Sequence, residues 1–202
     1  MKLYYSPGAC SLSPHIVLHE TGLPHESVLA STKTHKLQDG TDFYTLNPKG
    51  YVPLLELDNG ERISEGPVIV QYLADQAPAS GLIPAAGTMP RYRVLEWMNF
   101  TGTELHKNFS PLFTPGMNDD AKNLFRAKLV ERFTWVDGQL AGKTYLGGDG
   151  FSVADAYLFT VSNWATVVGV EIGHLTQLAA YRARVSQRPA VQAAMKAEGL
   201  IK

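Results

Sequence analysis

Residues 4–18 read YYSPGACSLSPHIVL. The aromatic and apolar run from Lys2 to Ser6 halts at Pro7-Gly8, as a strand does at a turn. From Leu12 to Thr21 the residues suit a helix, with Ile16, Val17 and Leu18 apolar and Gly22 as the stop. The stretch is therefore strand, turn, helix. The only cysteine of the chain, Cys10, stands where the helix begins. A thiolate is the reactive form of cysteine, and a helix start favours negative charge. That geometry favours a Cys10 thiolate and suits a bound anionic sulfur equally. The spacing is C-x-x-S, so Cys10 can enter a mixed disulfide but has no second thiol to resolve it. The competing reading is a small buried apolar side chain.

Working outward, Glu26–Ser31 reads as a second strand. Val52–Leu57, the turn Asp58-Asn59-Gly60 and Glu61–Ser64 read as strand, turn, strand. Pro67–Asp75 reads as a helix with Val68, Ile69, Tyr72 and Leu73 on one face. The order expected is βαβαββα. The stretch ASGLIPAAGTMP at 79–90 is rich in small residues, Gly and Pro, and reads as an interdomain linker. Beyond it come helical segments near 90–113, 119–141, 153–168, 175–187 and 190–198. The expected architecture is thus an α+β domain over 1–78, a linker over 79–88 and an all-α domain over 89–202.

Composition bounds the function. A chain of 202 residues, 45% apolar and 18% charged, can bury a core without staples. A net charge of −1 gives no electrostatic case for nucleic acid or an anionic membrane. One cysteine makes no internal disulfide, which fits a reducing compartment. The apolar run at the N-terminus is too short for a signal-peptide core. The longest uncharged stretch, Ala156–Val170, falls short of the roughly 20 residues of a spanning helix and is interrupted by Asn163. It reads as a buried core helix. No metal ligand set is assigned.

Three further stretches bear on chemistry. Val52-Pro53 reads as an ordinary trans bond at a strand start. A cis bond there would turn the Val52 N–H and C=O toward an extended peptide ligand. In Ser64-Glu65-Gly66-Pro67, Ser64 is the expected N-cap and Glu65 adds charge to the first turn. Free amides there can hold a carboxylate, and Glu65 an ammonium. Together they would suit the α-amino acid end of a small peptide, although plain capping explains the residues equally. From Pro90 onward, Glu96, Asn99, Thr103, His106 and Ser110 form a polar stripe, opposite Val94, Met98, Leu105, Phe109 and Leu112. A solvated face is the simple reading, with His106 the exception because imidazole can donate to a thiolate or act as a base. Ser152-Val153-Ala154-Asp155 is a capping box that serves folding.

Taken together, YYSPGACSLSPHIVL at 4–18, NPKGYVPLLELDNG at 47–60, SEGPVIVQYLAD at 64–75, LHKNFSPLF at 105–113 and SVADAYLF at 152–159 resemble the bacterial beta-class cytosolic glutathione S-transferases. The resemblance covers essentially the whole chain. It implies a thioredoxin-like first domain, an all-helical second domain, a homodimer, a cytoplasmic location and glutathione as co-substrate. It implies that Val52-Pro53 is cis and pairs with the cysteinyl main chain of glutathione, and that Glu65 and Gly66 hold the γ-glutamyl end. Cys10 would lie at the sulfur with His106 nearby, and Asn99, Thr103 and Glu104 would contribute from the second domain. His35 stands where beta-class members often have Lys for the glycyl carboxylate, so Lys36 is the substitute. Gly66 stands where the wider superfamily often has Ser, leaving only a backbone contact.

The reaction implied is conjugation of glutathione to an apolar electrophile, with thiol–disulfide exchange through Cys10. Ser11, by hydroxyl or N–H, is the expected donor to the glutathione thiolate, and Tyr5 is a second hydroxyl. Phe109, Phe113, Met117 and Trp164 are candidates for the electrophile pocket and equally for core. The rivals are a glutathione-dependent dehalogenase or peroxidase on the same site, a carrier of apolar ligands, and a non-catalytic interaction protein on this fold.

Overall fold

The computed structural model describes residues 1–148 and 150–202. The chain divides into two compact units, Met1–Ser80 with Arg188–Lys202, and Gly81–Gln187.

The first unit is built on a four-stranded mixed sheet. Its strands are β1 (Lys2–Tyr5), β2 (Glu26–Leu29), β3 (Leu54–Glu56) and β4 (Arg62–Ser64), in the order β2-β1-β3-β4. β1 and β2 are parallel, and the other two pairings are antiparallel. Leu3 sits at the centre, paired with Ser27 on one side and Leu55 on the other. Helix α1 (Leu12–Thr21) supplies the crossover that the parallel pair β1 and β2 requires. Every residue from Leu12 to Leu18 is buried, because α2 (Gly66–Gln76) and α9 (Pro189–Ala197) both pack on it. Gly22 ends α1 at φ +67°, with its N–H on the Leu18 carbonyl at 3.0 Å. The hairpin forms where Asn59-Gly60 predicts it, the Gly60 N–H meeting the Leu57 carbonyl at 2.9 Å.

Three expectations change in this unit. The second helix of the expected βαβαββα order is a single 3-10 turn, Phe43–Thr45, which Asp42 caps through the Tyr44 N–H. Phe43 is its only buried residue, too little apolar surface to hold a longer helix down. The helix after β4 begins at Gly66 with Glu65, not Ser64, at the N-cap. The last residues, read as the end of the helical domain, instead belong with the first unit. Val191 and Ala194 bury against α1, and Arg188 makes a bidentate pair with Glu20 at 2.6 and 2.9 Å.

The second unit is helical: α3 (Met89–Phe100), α4 (Lys107–Phe113), α5 (Asp119–Leu140), α6 (Val153–Ser162), α7 (Trp164–Val168) and α8 (Thr176–Ser186). A π-helical segment, Thr101–His106, joins α3 to α4, so the one helix expected over 90–113 carries a wider turn in its middle. All ten residues of α6 are buried, as its apolar sequence predicts. Asn163 breaks the expected helix over 153–168 into α6 and α7, its Oδ1 accepting from the Arg182 guanidinium at 3.0 Å. Asp155 closes the capping box. Its carboxylate accepts the Ser152 N–H, the Ser152 hydroxyl and the Leu146 N–H at 2.9, 2.7 and 2.9 Å. The stretch expected as a linker is packed: Leu82 and Ile83 are buried, and the Leu82 carbonyl accepts the Val153 N–H at 3.0 Å. Among the described residues no helix is long and apolar enough to cross a membrane.

Candidate functional site

Cys10 lies in the turn that delivers the chain from β1 into α1. The Val52–Pro53 bond is cis, and the Cys10 thiol donates to the Val52 carbonyl at 3.2 Å. Only the protonated sulfur can make that bond. Burial pushes the Cys10 thiol up to about 12; the carboxylates of Glu65 and Glu198 act in the same direction. The N–H groups of Cys10 and Ser11 face the sulfur and pull the other way, but burial wins. The expectation that the helix start would hold Cys10 as thiolate is therefore corrected. The two N–H groups do point where an anionic sulfur would be stabilised.

Ser11 is also placed differently from the expectation. Its hydroxyl is fully buried and spent on Ser6, accepting from the Ser6 N–H at 3.1 Å and donating to the Ser6 carbonyl at 3.2 Å. It fixes the loop that carries Cys10, and its backbone N–H is the group left for a ligand. Tyr5 is no better as a hydroxyl donor. Its ring packs on His15 at 5.3 Å, and burial, with the Glu198 charge, raises its pKa.

Glu65 holds φ +75°, a conformation uncommon for a side chain that has a Cβ. Such outliers persist where surrounding structure enforces them, often at ligand sites. Its carboxylate is exposed and meets Lys49 Nζ at 2.8 Å, and the same ammonium reaches the Ser64 hydroxyl at 3.2 Å. Lys49 was not singled out in the sequence, though it stands in the stretch NPKGYVP. It shows that this carboxylate takes an ammonium. Gly66, the first helical residue, has its N–H outside the ladder of α2. A Cβ there would lie 3.7 Å from Pro53 Cγ, which places the start of α2 against the cis proline.

His35 takes φ +52°, its Nδ1–H donates to the Gly50 carbonyl at 3.0 Å, and its ring packs on Tyr44 at 4.7 Å. Nε2 remains for a ligand, and it can donate to a carboxylate only when the ring is doubly protonated. Lys36 is exposed beside it. The shape of this loop depends on Gly50. A Cβ there would come 2.5 Å from the Tyr44 ring, at φ +69°.

In the second unit the π segment sets the stripe. Asn99 and Thr103 are exposed, the Thr103 hydroxyl donating to the Asn99 carbonyl at 3.1 Å. Glu104 is half-buried and paired with Arg132 at 3.0 Å. His106 turns inward. Its Nδ1 lies 2.6 Å from the hydroxyl of buried Tyr157, and its ring meets Trp164 edge-on at 4.8 Å. Phe109 is core, fully buried between Phe133 and Trp164, whereas Phe113 packs on Trp164 with 49% of its surface exposed. Tyr157 and Arg132 were not legible as partners, because the helices that bring them lie far along the chain.

Known proteins resemble the chain along its whole length. The family model "Glutathione S-transferase, N-terminal domain" matches residues 8–76, and "Glutathione S-transferase, C-terminal domain" matches residues 100–189. Glutathione S-transferase GstA of Escherichia coli O157:H7 is 43% identical over 200 residues, covering 99% of this chain and 100% of its own. A beta-class glutathione S-transferase from Sphingomonas chungbukensis is 47% identical, with a TM-score of 0.96 over 100% of both chains. A sphingomonad glutathione S-transferase solved with glutathione is 48% identical, with a TM-score of 0.95 over 100% of both chains. The chain belongs to the glutathione S-transferase family, in its bacterial beta class.

Proposed function

We propose that this enzyme binds glutathione on the first unit and transfers its sulfur to an apolar electrophile, with glutathione and not Cys10 as the nucleophile. One observation carries the choice: the half-buried Cys10 sulfur lies 3.2 Å from the Val52 carbonyl, where only a protonated thiol can bond, and desolvation pushes its pKa in the same direction. A thiol held in that form at neutral pH is a poor nucleophile and a good donor. In this reading the Cys10 S–H leaves the Val52 carbonyl when glutathione binds, and with the N–H groups of Cys10 and Ser11 it donates to the glutathione thiolate and lowers its pKa. The Val52 N–H and C=O pair with the cysteinyl main chain beside Pro53. Glu65 takes the γ-glutamyl ammonium in place of Lys49, and the Gly66 N–H takes the carboxylate beside it. Lys36, and His35 when doubly protonated, hold the glycyl carboxylate. Asn99, Thr103, Glu104 and His106 are the candidate residues of the second unit, His106 held by Tyr157. The new S–C bond forms as the leaving group departs with its electron pair, and the glutathione thiol proton passes to solvent.

We further assign the chain to the cytoplasm as a homodimer. A lone cysteine needs no oxidising compartment, and sedimentation tests the dimer.

The test compares Cys10→Ser, which keeps a donor, with Cys10→Ala, which removes it, on a chloronitrobenzene. Loss of one hydrogen bond to an anion, about 1.5–3 kcal/mol, is softened by the two N–H groups. Cys10→Ala should lose roughly tenfold in kcat/KM at neutral pH and recover as pH rises and glutathione ionises unaided. Cys10→Ser should stay near the parent. Loss of all turnover in both variants at every pH would mean that Cys10 is the attacking sulfur, as the exchange reading requires.

A further inference from the structure

Three histidines that the glutathione site leaves unused meet on the first unit. His15 and His19 stand one turn apart on the same face of α1. His25 immediately precedes β2. The ring centroids are 5.2 Å (His15–His19), 5.5 Å (His19–His25) and 5.8 Å (His15–His25) apart. One ring nitrogen from each lies within 4.8 Å of the other two.

The groups behind these rings matter more than their proximity. His25 Nδ1 is 2.9 Å from the Leu23 carbonyl, which can only accept, so the proton is on Nδ1 and the Nε2 lone pair is free. His15 Nδ1 is 2.9 Å from Glu198 Oε1, a buried carboxylate whose other oxygen accepts the Gly8 N–H at 2.8 Å. A ring nitrogen backed by a carboxylate or a carbonyl is the usual outer support of a metal-bound histidine. His19 Nε2 is buried and has no hydrogen-bond partner. A buried polar atom left unsatisfied calls for a reason.

We propose that His15, His19 and His25 bind one divalent transition-metal ion of the zinc class, with Glu198 orienting His15. Three neutral imidazoles suit Zn²⁺ or Co²⁺ and not the oxygen-seeking Ca²⁺ or Mg²⁺. A tetrahedral ion with nitrogen ligands at 2.0–2.1 Å sets them about 3.3 Å apart. Binding requires the present triangle of nitrogens, up to 4.8 Å apart, to close to that size, and the Ser27 hydroxyl to give up its 3.1 Å contact with His15 Nε2. Glu20 is committed to Arg188, so water fills the fourth position. A surface hollow of about 410 Å³, lined by His19, Glu20, Pro189, Ala190 and Ala193, gives that water its route. The ion would tie α1 to β2 and, through Glu198, to the C-terminal segment.

The test titrates the untagged chain with Co²⁺ in the absence of glutathione, whose thiol chelates metals. One equivalent should bring up the visible absorption of tetrahedral cobalt, and Zn²⁺ should displace it. His19→Gln and His25→Gln, at half-buried positions the fold tolerates, should each weaken binding at least about 100-fold, and Glu198→Gln about 10–100-fold. His174→Gln, exposed on the second unit, should leave binding unchanged. Zn²⁺ should raise the melting temperature of the parent and not of His19→Gln. The absence of a saturable tetrahedral band, or a band that survives both His19→Gln and His25→Gln, would overturn the proposal and leave the three rings as packing.

Discussion

The pH profile of Cys10 alkylation follows directly from the geometry of its sulfur. A free thiol titrates near 8.5, so at pH 7.5 about one molecule in eleven is thiolate. With the Cys10 thiol pushed up to about 12, the fraction is about 3 in 100,000, roughly 3,000-fold less. A more basic thiolate is intrinsically more nucleophilic, by a Brønsted slope of about 0.4–0.5. Over 3.5 units that returns roughly 40-fold. The net expectation is alkylation by iodoacetamide roughly 80-fold slower than that of glutathione at pH 7.5, before any steric hindrance. The logarithm of the rate should climb with unit slope from pH 7 to 10 without a plateau. In 6 M guanidinium (about that concentration unfolds hyperstable domains) the inflection should return to about 8.5. The same shift has a stability consequence. Between about 8.5 and 12 the unfolded chain loses the Cys10 proton while the folded chain keeps it, so stability falls as pH rises through that window. Cys10→Ala should flatten the fall. A plateau below pH 8.5 in the folded protein would refute the reasoning, because it would mean that the Cys10 and Ser11 N–H groups outweigh burial.

Other perturbations separate binding from folding. Glu65→Gln removes the charge offered to an ammonium; the glutathione KM should rise about 10–100-fold. Because the Lys49 pair is exposed and worth about 0–1 kcal/mol, the melting temperature should move by no more than about 4 °C. Gly50→Ala puts a Cβ into the Tyr44 ring at φ +69°; a loss of at least about 2 kcal/mol in denaturant unfolding is expected, with weaker glutathione binding as the His35 loop shifts. Asp155→Ala orphans three buried donors and should cost about 3 kcal/mol or more, read as a fall of about 6–12 °C in melting temperature. Burial raises the Asp155 pKa, so the carboxyl takes up its proton more readily folded than unfolded. Stability should therefore rise in the parent as pH falls from above the folded pKa toward about 4, and Asp155→Ala should lack that rise.

What the sequence revealed and what it hid divide along one line: local signals were legible, and environments were not. Gly22, Asn59-Gly60 and Ser152–Asp155 act through neighbours a few residues away, and each turn, cap or stop forms where its residues predict. The succession of the four strands along the chain also followed from runs and turns. The expected second helix failed because a 3-10 turn and loops satisfy that segment, with only Phe43 of the turn reaching the core. Cys10 shows the same division within one residue. Its position at a helix start is local and was read correctly. Its protonation state depends on burial and on Val52, Glu65 and Glu198, from 42 to 188 residues away, and no spacing rule weighs those against two backbone N–H groups. Glu198 extends the point. It stands near the end of the chain, in a segment assigned to the helical domain, yet its carboxylate reaches Gly8 in the turn before Cys10 and His15 on the helix after it. The histidine spacing, His15-x₃-His19-x₅-His25, was visible all along but ordinary by itself. It gains meaning only when a buried carboxylate stands behind one ring, a carbonyl behind another and an orphaned nitrogen on the third. One buried carboxylate thus acts at both ends of the first turns of α1. It raises the Cys10 pKa from one side and orients His15 on the other, so a metal ion at the histidines would draw on the same Glu198 charge. The coupling is testable: Co²⁺ bound at His15, His19 and His25 should increase the alkylation rate of Cys10 at fixed pH, because a cation near Glu198 offsets part of the field that keeps the thiol protonated. An alkylation rate indifferent to Co²⁺ in a chain that binds it would show that the Glu198 charge is not shared between the two sites.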